Sequence, residues 1–213
     1  MVRRNSAERR PGEGGSLLAR AAPAALLVTG PPGSGKTTLA TALASALHYA
    51  IMDLDTVTGP LTRAALRMAL GDETAIDSVA GVALRASRYE SLLDVAAANL
   101  AVGIGVVLAA PFSAERASPE LFEEAARRLC SDVALLYIRV PDEVVRKRLE
   151  DRGAARDRAK LARSPLPAEP PALGPGAIVI DGTAGVDEQV AEALDAVARL
   201  EESRLNEGNP ASC

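Results

Sequence analysis

Aromatic side chains are almost missing: two Phe, three Tyr and no Trp in 213 residues. Stacking platforms for single-stranded nucleic acid need several exposed rings, so that class is excluded. Cysteine is as scarce. Cys130 and Cys213 stand far apart without metal-ligand spacing, which argues against a disulfide framework and makes a reducing cytoplasm the expected setting. The single histidine, His48, lies at the end of a helical pattern and is read as structural. Lysine is rare too, three among 24 basic residues, so a lysine inside a motif stands out. There is no basic excess: the net charge is −4, unlike that of a nucleic-acid binder. No apolar run reaches the ~18 residues of a membrane span. Met1 to Ser16 mixes four arginines with Glu8 and Glu13, and the apolar stretch Leu17 to Val28 is broken by Arg20 and Pro23. Residues 1–22 therefore read as a disordered tail rather than a secretory signal.

What is present suits one well-buried core, with 48% hydrophobic residues. Short apolar runs at Ala24–Thr29, Tyr49–Leu54, Ile104–Ala110, Val133–Val140 and Ala177–Ile180 read as five buried strands. Between them lie helical patterns. Lys36–Leu47 carries Leu39, Leu43 and Leu47 at four-residue spacing. Leu61–Leu70 and Glu73–Val102 are Ala-rich with apolar residues three and four apart. Ser118-Pro119 opens a helix to about Cys130, Pro141 opens another that ends near Gly153, and Val186–Leu200 is the last. Strands alternating with helices specify a parallel sheet covered on both faces. The two helical stretches between strands two and three exceed one crossover and predict a small lobe over about 58–102. The Arg- and Pro-rich stretch from Arg156 to Gly176 reads as irregular and mobile, and residues 205–213 as a tail.

Gly30-Pro31-Pro32-Gly33-Ser34-Gly35-Lys36-Thr37 fits G-x-x-x-x-G-K-[ST] without mismatch, after a strand and before a helix. The glycines let backbone N–H groups turn inward on phosphate oxygens. Lys36 brings a point charge to the terminal phosphates, and the helix N-terminus adds to the field. Thr37 offers a hydroxyl to Mg²⁺, and Thr38 lies beside the loop. Met52-Asp53-Leu54-Asp55 puts two acids at the carboxyl end of the second strand, where alternation would aim both to one side. Phosphoryl transfer needs a carboxylate at the attacking hydroxyl and another near the metal. Asp55 is the candidate base or substrate anchor, and Asp53 the candidate magnesium partner. The third strand ends Leu108-Ala109-Ala110-Pro111-Phe112, without the acid that a hydrolytic ATPase needs. Arg146, Arg148, Arg152, Arg156 and Arg158 cluster beyond the fourth strand, Arg148 and Arg152 one helical turn apart. No Asn-Lys-x-Asp guanine motif is found.

The loop, the acid pair and these arginines resemble the small-molecule kinase branch of P-loop proteins: shikimate and gluconate kinases, chloramphenicol phosphotransferase and the zeta-toxin-like ATP-binding kinases. The similarity spans about Ala24 to Leu200. It implies a five-stranded parallel sheet between helices, a helical substrate lobe and a lid over about 153–175. It implies ATP on the phosphate loop with Mg²⁺, Arg152 near the adenine, Arg156 over the phosphates as a catalytic residue, and Asp181 in the loop bordering the adenine. By the same resemblance Arg88 is the candidate for an acidic group on the substrate. The expected activity is transfer of the ATP γ-phosphate to a small-molecule hydroxyl, by a monomer or homodimer in the cytoplasm. A nucleoside or nucleotide kinase and a non-catalytic ATP-binding regulator are the alternatives. The first would want aromatics in the helical lobe, where only Tyr89 is available.

Overall fold

The computed structural model describes residues 25–73, 75–76, 78–153, 173 and 176–206. The expected tail over 1–22, nearly all of the expected lid with Arg156 and Arg158, and residues 207–213 lie outside the described residues.

Strand β1 (Ala25–Thr29) is buried along its whole length, because helices cover both of its faces and neighbouring strands both of its edges. That is why it reads as a continuous apolar run rather than an alternating one. It pairs in parallel with β3 (Val106–Ala109) on one side and β4 (Val133–Arg139) on the other. Strands β2 (Ala50–Asp53) and β5 (Ile178–Asp181) complete the order β2-β3-β1-β4-β5. The parallel five-stranded sheet expected from sequence is therefore present.

Side chains alternate across this sheet. Leu26, Val28, Leu136 and Ile138 meet Leu39 and Leu43 of α1 (Lys36–Leu47), Val145 and Leu149 of α5 (Asp142–Arg152), and Ala193 and Val197 of α6 (Val186–Asn206). On the opposite face Leu27, Leu108 and Leu135 meet Leu54 of α2 (Leu54–Leu70), Leu92 and Ala96 of α3 (Val79–Ala101), and Leu129 of α4 (Pro119–Leu129). Among the described residues no helix is long and apolar enough to cross a membrane.

Local chemistry sets the helix ends. Ser118 caps α4 by accepting from Leu121 N, with proline at the first position, and Gly153 closes α5 in the left-handed region, as read from sequence. His48 closes α1 at φ 56°, a conformation that histidine tolerates better than most residues, which fits its structural reading. Three helix boundaries differ from expectation by several residues. Helix α2 starts at Leu54 and runs through Pro60 instead of starting after it. The cap from Asp53 and the burial of Leu54 outweigh the rung that proline removes. Helix α3 starts at Val79, not Glu73, because Ser78 caps it and accepts from Gly81 N at 3.2 Å. Helix α6 continues past Leu200 to Asn206.

Leu43 has no exposure and sits where α1 meets the sheet. Leu43→Ala should cost roughly 2–5 kcal/mol, read as a lower urea midpoint with an unchanged slope. A cost below about 1 kcal/mol would mean that α1 is not clamped to the sheet.

Candidate active site

The phosphate loop leaves β1 at its carboxyl end and turns into α1. Gly35 precedes α1 at φ 98°, where a side chain would be strained, and neither a side-chain cap nor an acidic residue occupies the first turn of the helix. The N–H groups at this helix start are thus left for an anion. Gly30 is required by space: a Cβ there would stand 2.9 Å from the Ile138 carbonyl oxygen and 2.8 Å from Ser34 Oγ. Ser34 Oγ is itself buried with no protein partner. Lys36 folds back over the loop and donates from Nζ to the carbonyls of Pro31 at 2.8 Å and Gly30 at 3.0 Å.

Asp53 ends β2 beside Ala109 of β3 and faces the loop. Thr37 Oγ1 donates to its Oδ2 at 2.8 Å, while its Oδ1 accepts from Thr56 N at 3.0 Å and Thr56 Oγ1 at 3.2 Å. Thr37 and Asp53 are adjacent hard oxygen donors. Among the described residues no group of three His, Cys, Asp or Glu side chains forms a metal cage. A small octahedral cation that keeps waters and takes its remaining ligands from phosphates fits such a sparse donor set.

Asp55 is not on the strand. The reading that put Asp53 and Asp55 on one side of β2 is corrected, because Asp53 caps α2 and places Asp55 in that helix's first turn. The two acids still line one cavity of about 470 Å³, by a helical route rather than by strand alternation. Asp55 Oδ1 accepts from Arg88 Nη2 at 2.6 Å, and Arg88 Nε donates to Thr58 Oγ1 at 2.9 Å. The arginine side chain is 12% exposed and the aspartate 58%, so the cation is fixed and the carboxylate opens to the cavity.

The wall opposite is the turn after β3. Ala110 N donates to Val28 O, and Thr29 Oγ1 donates to Pro111 O. Phe112, fully buried at φ 39°, donates from its N–H to Tyr89 Oη at 3.0 Å and meets the Tyr89 ring edge-on. Arg85 and Ser113 also face this cavity. Gly81 is needed at its rim, since a Cβ there would fall 2.1 Å from Ile76 O.

Across the loop lies a second cavity of about 300 Å³, lined by Gly33, Thr38, Arg148, Arg152 and Gln189 among others. Arg152 borders both cavities. Arg148 bridges the loop to the turn after β5, donating from Nη1 to Ser34 O at 3.3 Å and from Nη2 to Gly182 O at 2.9 Å. Asp181 ends β5, and its exposed carboxylate accepts from Thr183 Oγ1 and N at 2.7 and 2.8 Å, which holds it below the usual carboxylate range. It is bound within its own turn. Sequence reasoning missed Gln189 and Ser113, which carry no motif, and left Arg85 and Arg148 without an individual role.

Burial pushes the Tyr89 phenol up to about 12, and burial likewise raises Glu115. Tyrosine in the unfolded chain ionises near 10. The folded state favours the neutral phenol, so this contribution is intact below pH 10 and is lost as pH rises from 10 to about 12. A tyrosinate titration should show one step near pH 12 that Tyr89→Phe removes. All tyrosines titrating together near pH 10 would contradict the buried Phe112 contact.

A family model described as an AAA domain matches residues 26–166. A gluconokinase from Sinorhizobium meliloti 1021 superposes with a TM-score of 0.58 at 20% identity, over 86% of this chain and 96% of that one. A sugar kinase from Janibacter sp. HTCC2649 superposes with a TM-score of 0.54 at 20% identity, over 83% of this chain and 96% of that one. No curated protein matches by sequence. The shared fold is the P-loop sheet with helices on both faces, in line with the resemblance read from the motifs.

Proposed function

We propose that this chain, which belongs to the AAA domain family of P-loop proteins, transfers the terminal phosphoryl group of ATP to a hydroxyl of a small molecule. One observation carries this reading: a single cavity of about 470 Å³ is lined by Lys36 and Thr37 from the phosphate loop and by Asp55 and Arg88 from α2 and α3. A phosphate-holding surface and a carboxylate able to take a proton thus share one space.

In this reading Lys36 exchanges its two neutral carbonyl partners for phosphate oxygens, a stronger charge-assisted contact. Gly30 to Thr38 wrap the phosphates. Thr37 and Asp53 hold Mg²⁺, which when bound supplies charge neutralisation at the phosphate oxygens. Asp55 accepts the proton of the acceptor hydroxyl as the oxygen–phosphorus bond forms and the bond to ADP breaks. Arg88 orients Asp55 and marks where an acidic group of the acceptor would dock. Arg152 lies on the adenine side, and Arg156 from the lid balances charge on the transferring group. Asp181 keeps the adenine-side turn in shape. The missing acid after β3 suits transfer rather than hydrolysis. The cytoplasm, with ATP and reduced thiols, is the proposed setting.

ADP release should be measured with Mg²⁺ and ATP against hydroxyl-bearing metabolites, sugar acids, antibiotics and nucleosides. One compound should raise turnover well above background, and Lys36→Ala should abolish it. Asp55→Asn should lower kcat by about 10²–10⁴ with little change in the KM for ATP. Full turnover by Asp55→Asn would remove the proton-transfer role. ATP binding with no stimulation by any compound would favour a nucleotide-binding regulator.

A further inference from the structure

We infer that Thr56 is a positioning residue for the magnesium ion: its hydroxyl fixes the Asp53 carboxylate so that one oxygen stays turned to the phosphate loop. This rests on the metal role proposed above for Thr37 and Asp53. Asp53 stands at the junction of β2 and α2, and its two oxygens have separate partners. Oδ1 accepts from Thr56 N at 3.0 Å and from Thr56 Oγ1 at 3.2 Å, while Oδ2 accepts from Thr37 Oγ1 at 2.8 Å. Capping the helix needs only the first of these contacts, one acceptor for one backbone N–H. A carboxylate held by that bond alone can still swing about it. The Thr56 hydroxyl puts a second donor on the same oxygen, which sets the plane of the carboxylate and leaves Oδ2 facing Thr37.

Local helix rules do not account for this hydroxyl. Thr56 occupies the third helical position of α2. A capping box would place Glu or Gln there, with a side chain that accepts from the backbone N–H of the cap residue. Thr56 does the reverse and donates to the side chain of the cap residue. Threonine is also a weaker helix former than Glu or Gln. A donor on one oxygen of a carboxylate whose other oxygen serves a metal is, by contrast, a common way to orient a metal ligand. Thr37 and Asp53 line the cavity of about 470 Å³, and Thr56 is not among its lining residues. Thr56 therefore acts through Asp53 and not by touching nucleotide or metal.

The test is a Mg²⁺ titration of the full chain carrying methylanthraniloyl-ADP, followed by fluorescence, with the nucleotide affinity in EDTA as metal-free reference. Thr56→Val keeps the side-chain shape and the backbone N–H but removes the hydroxyl. It should raise the Mg²⁺ midpoint about 10-fold, the lower end for lost partners of a metal ligand, because Thr56 is exposed. Metal-free affinity should stay as in wild type, and Thr56→Ser should keep the wild-type midpoint. An unchanged midpoint in Thr56→Val would overturn the inference, reducing Thr56 to part of the helix cap and leaving the proposed function standing. Equal loss of metal-free binding would also overturn it, since the defect would then lie in the phosphate loop. Nucleotide binding by wild type that ignores Mg²⁺ would overturn it together with the metal role of Thr37 and Asp53. No nucleotide binding at all would overturn the proposed function as well. Should Thr56→Val not fold, Thr56→Ala enters the same titration in its place.

Discussion

One carboxylate joins the parts of this site. Asp53 takes the hydroxyl of Thr37 on one oxygen and the first turn of α2 on the other. Because β2 ends at Asp53 and α2 begins at the next residue, no slack separates the phosphate loop from the helix carrying Asp55. A loop of even a few residues there would leave Asp55 free to drift by ångströms, and the proton transfer proposed for it would not tolerate that. The cost is a proline inside a helix, accepted because the cap and the buried Leu54 hold the start of the helix.

The electrostatics follow from where charges are buried. Arg88 is mostly enclosed and would be costly there without a partner; the Asp55 carboxylate at 2.6 Å and the Thr58 hydroxyl supply two. The pairing works in both directions, since it also sets the direction of the carboxylate. On the other side of the loop Arg148 meets no carboxylate among the described residues. It ties two backbone carbonyls, one in the loop and one after β5, and so fixes the width of the second cavity. Tyr89 serves the first cavity in a similar way, holding the N–H of a left-handed Phe112 where β3 gives out.

Much of this was legible in the residues. The five strands, the phosphate loop, the caps at Ser118 and Gly153 and the role of His48 follow from local rules: apolar run length, glycine placement and side-chain capping. Asp53 was read at the end of the second strand, where it stands, but Asp55 was placed on that strand although it lies in the first turn of α2; both still line one cavity. The start of α2 was misplaced because proline was weighed as a breaker, without the tertiary burial of Leu54 that outweighs it.

The sequence by itself determined the phosphate loop, the parallel class of the sheet and the residue types available for phosphoryl chemistry, because those signals depend on neighbours a few residues away. Only the tertiary structure decided the strand order, the pairing of Asp55 with Arg88 across 33 positions, the hold of Tyr89 on Phe112 and the arrival of Arg148 and Gln189 beside the loop. Those contacts join segments far apart in the chain. They form only when burial of two apolar faces against one sheet brings the segments together, a constraint no local pattern records.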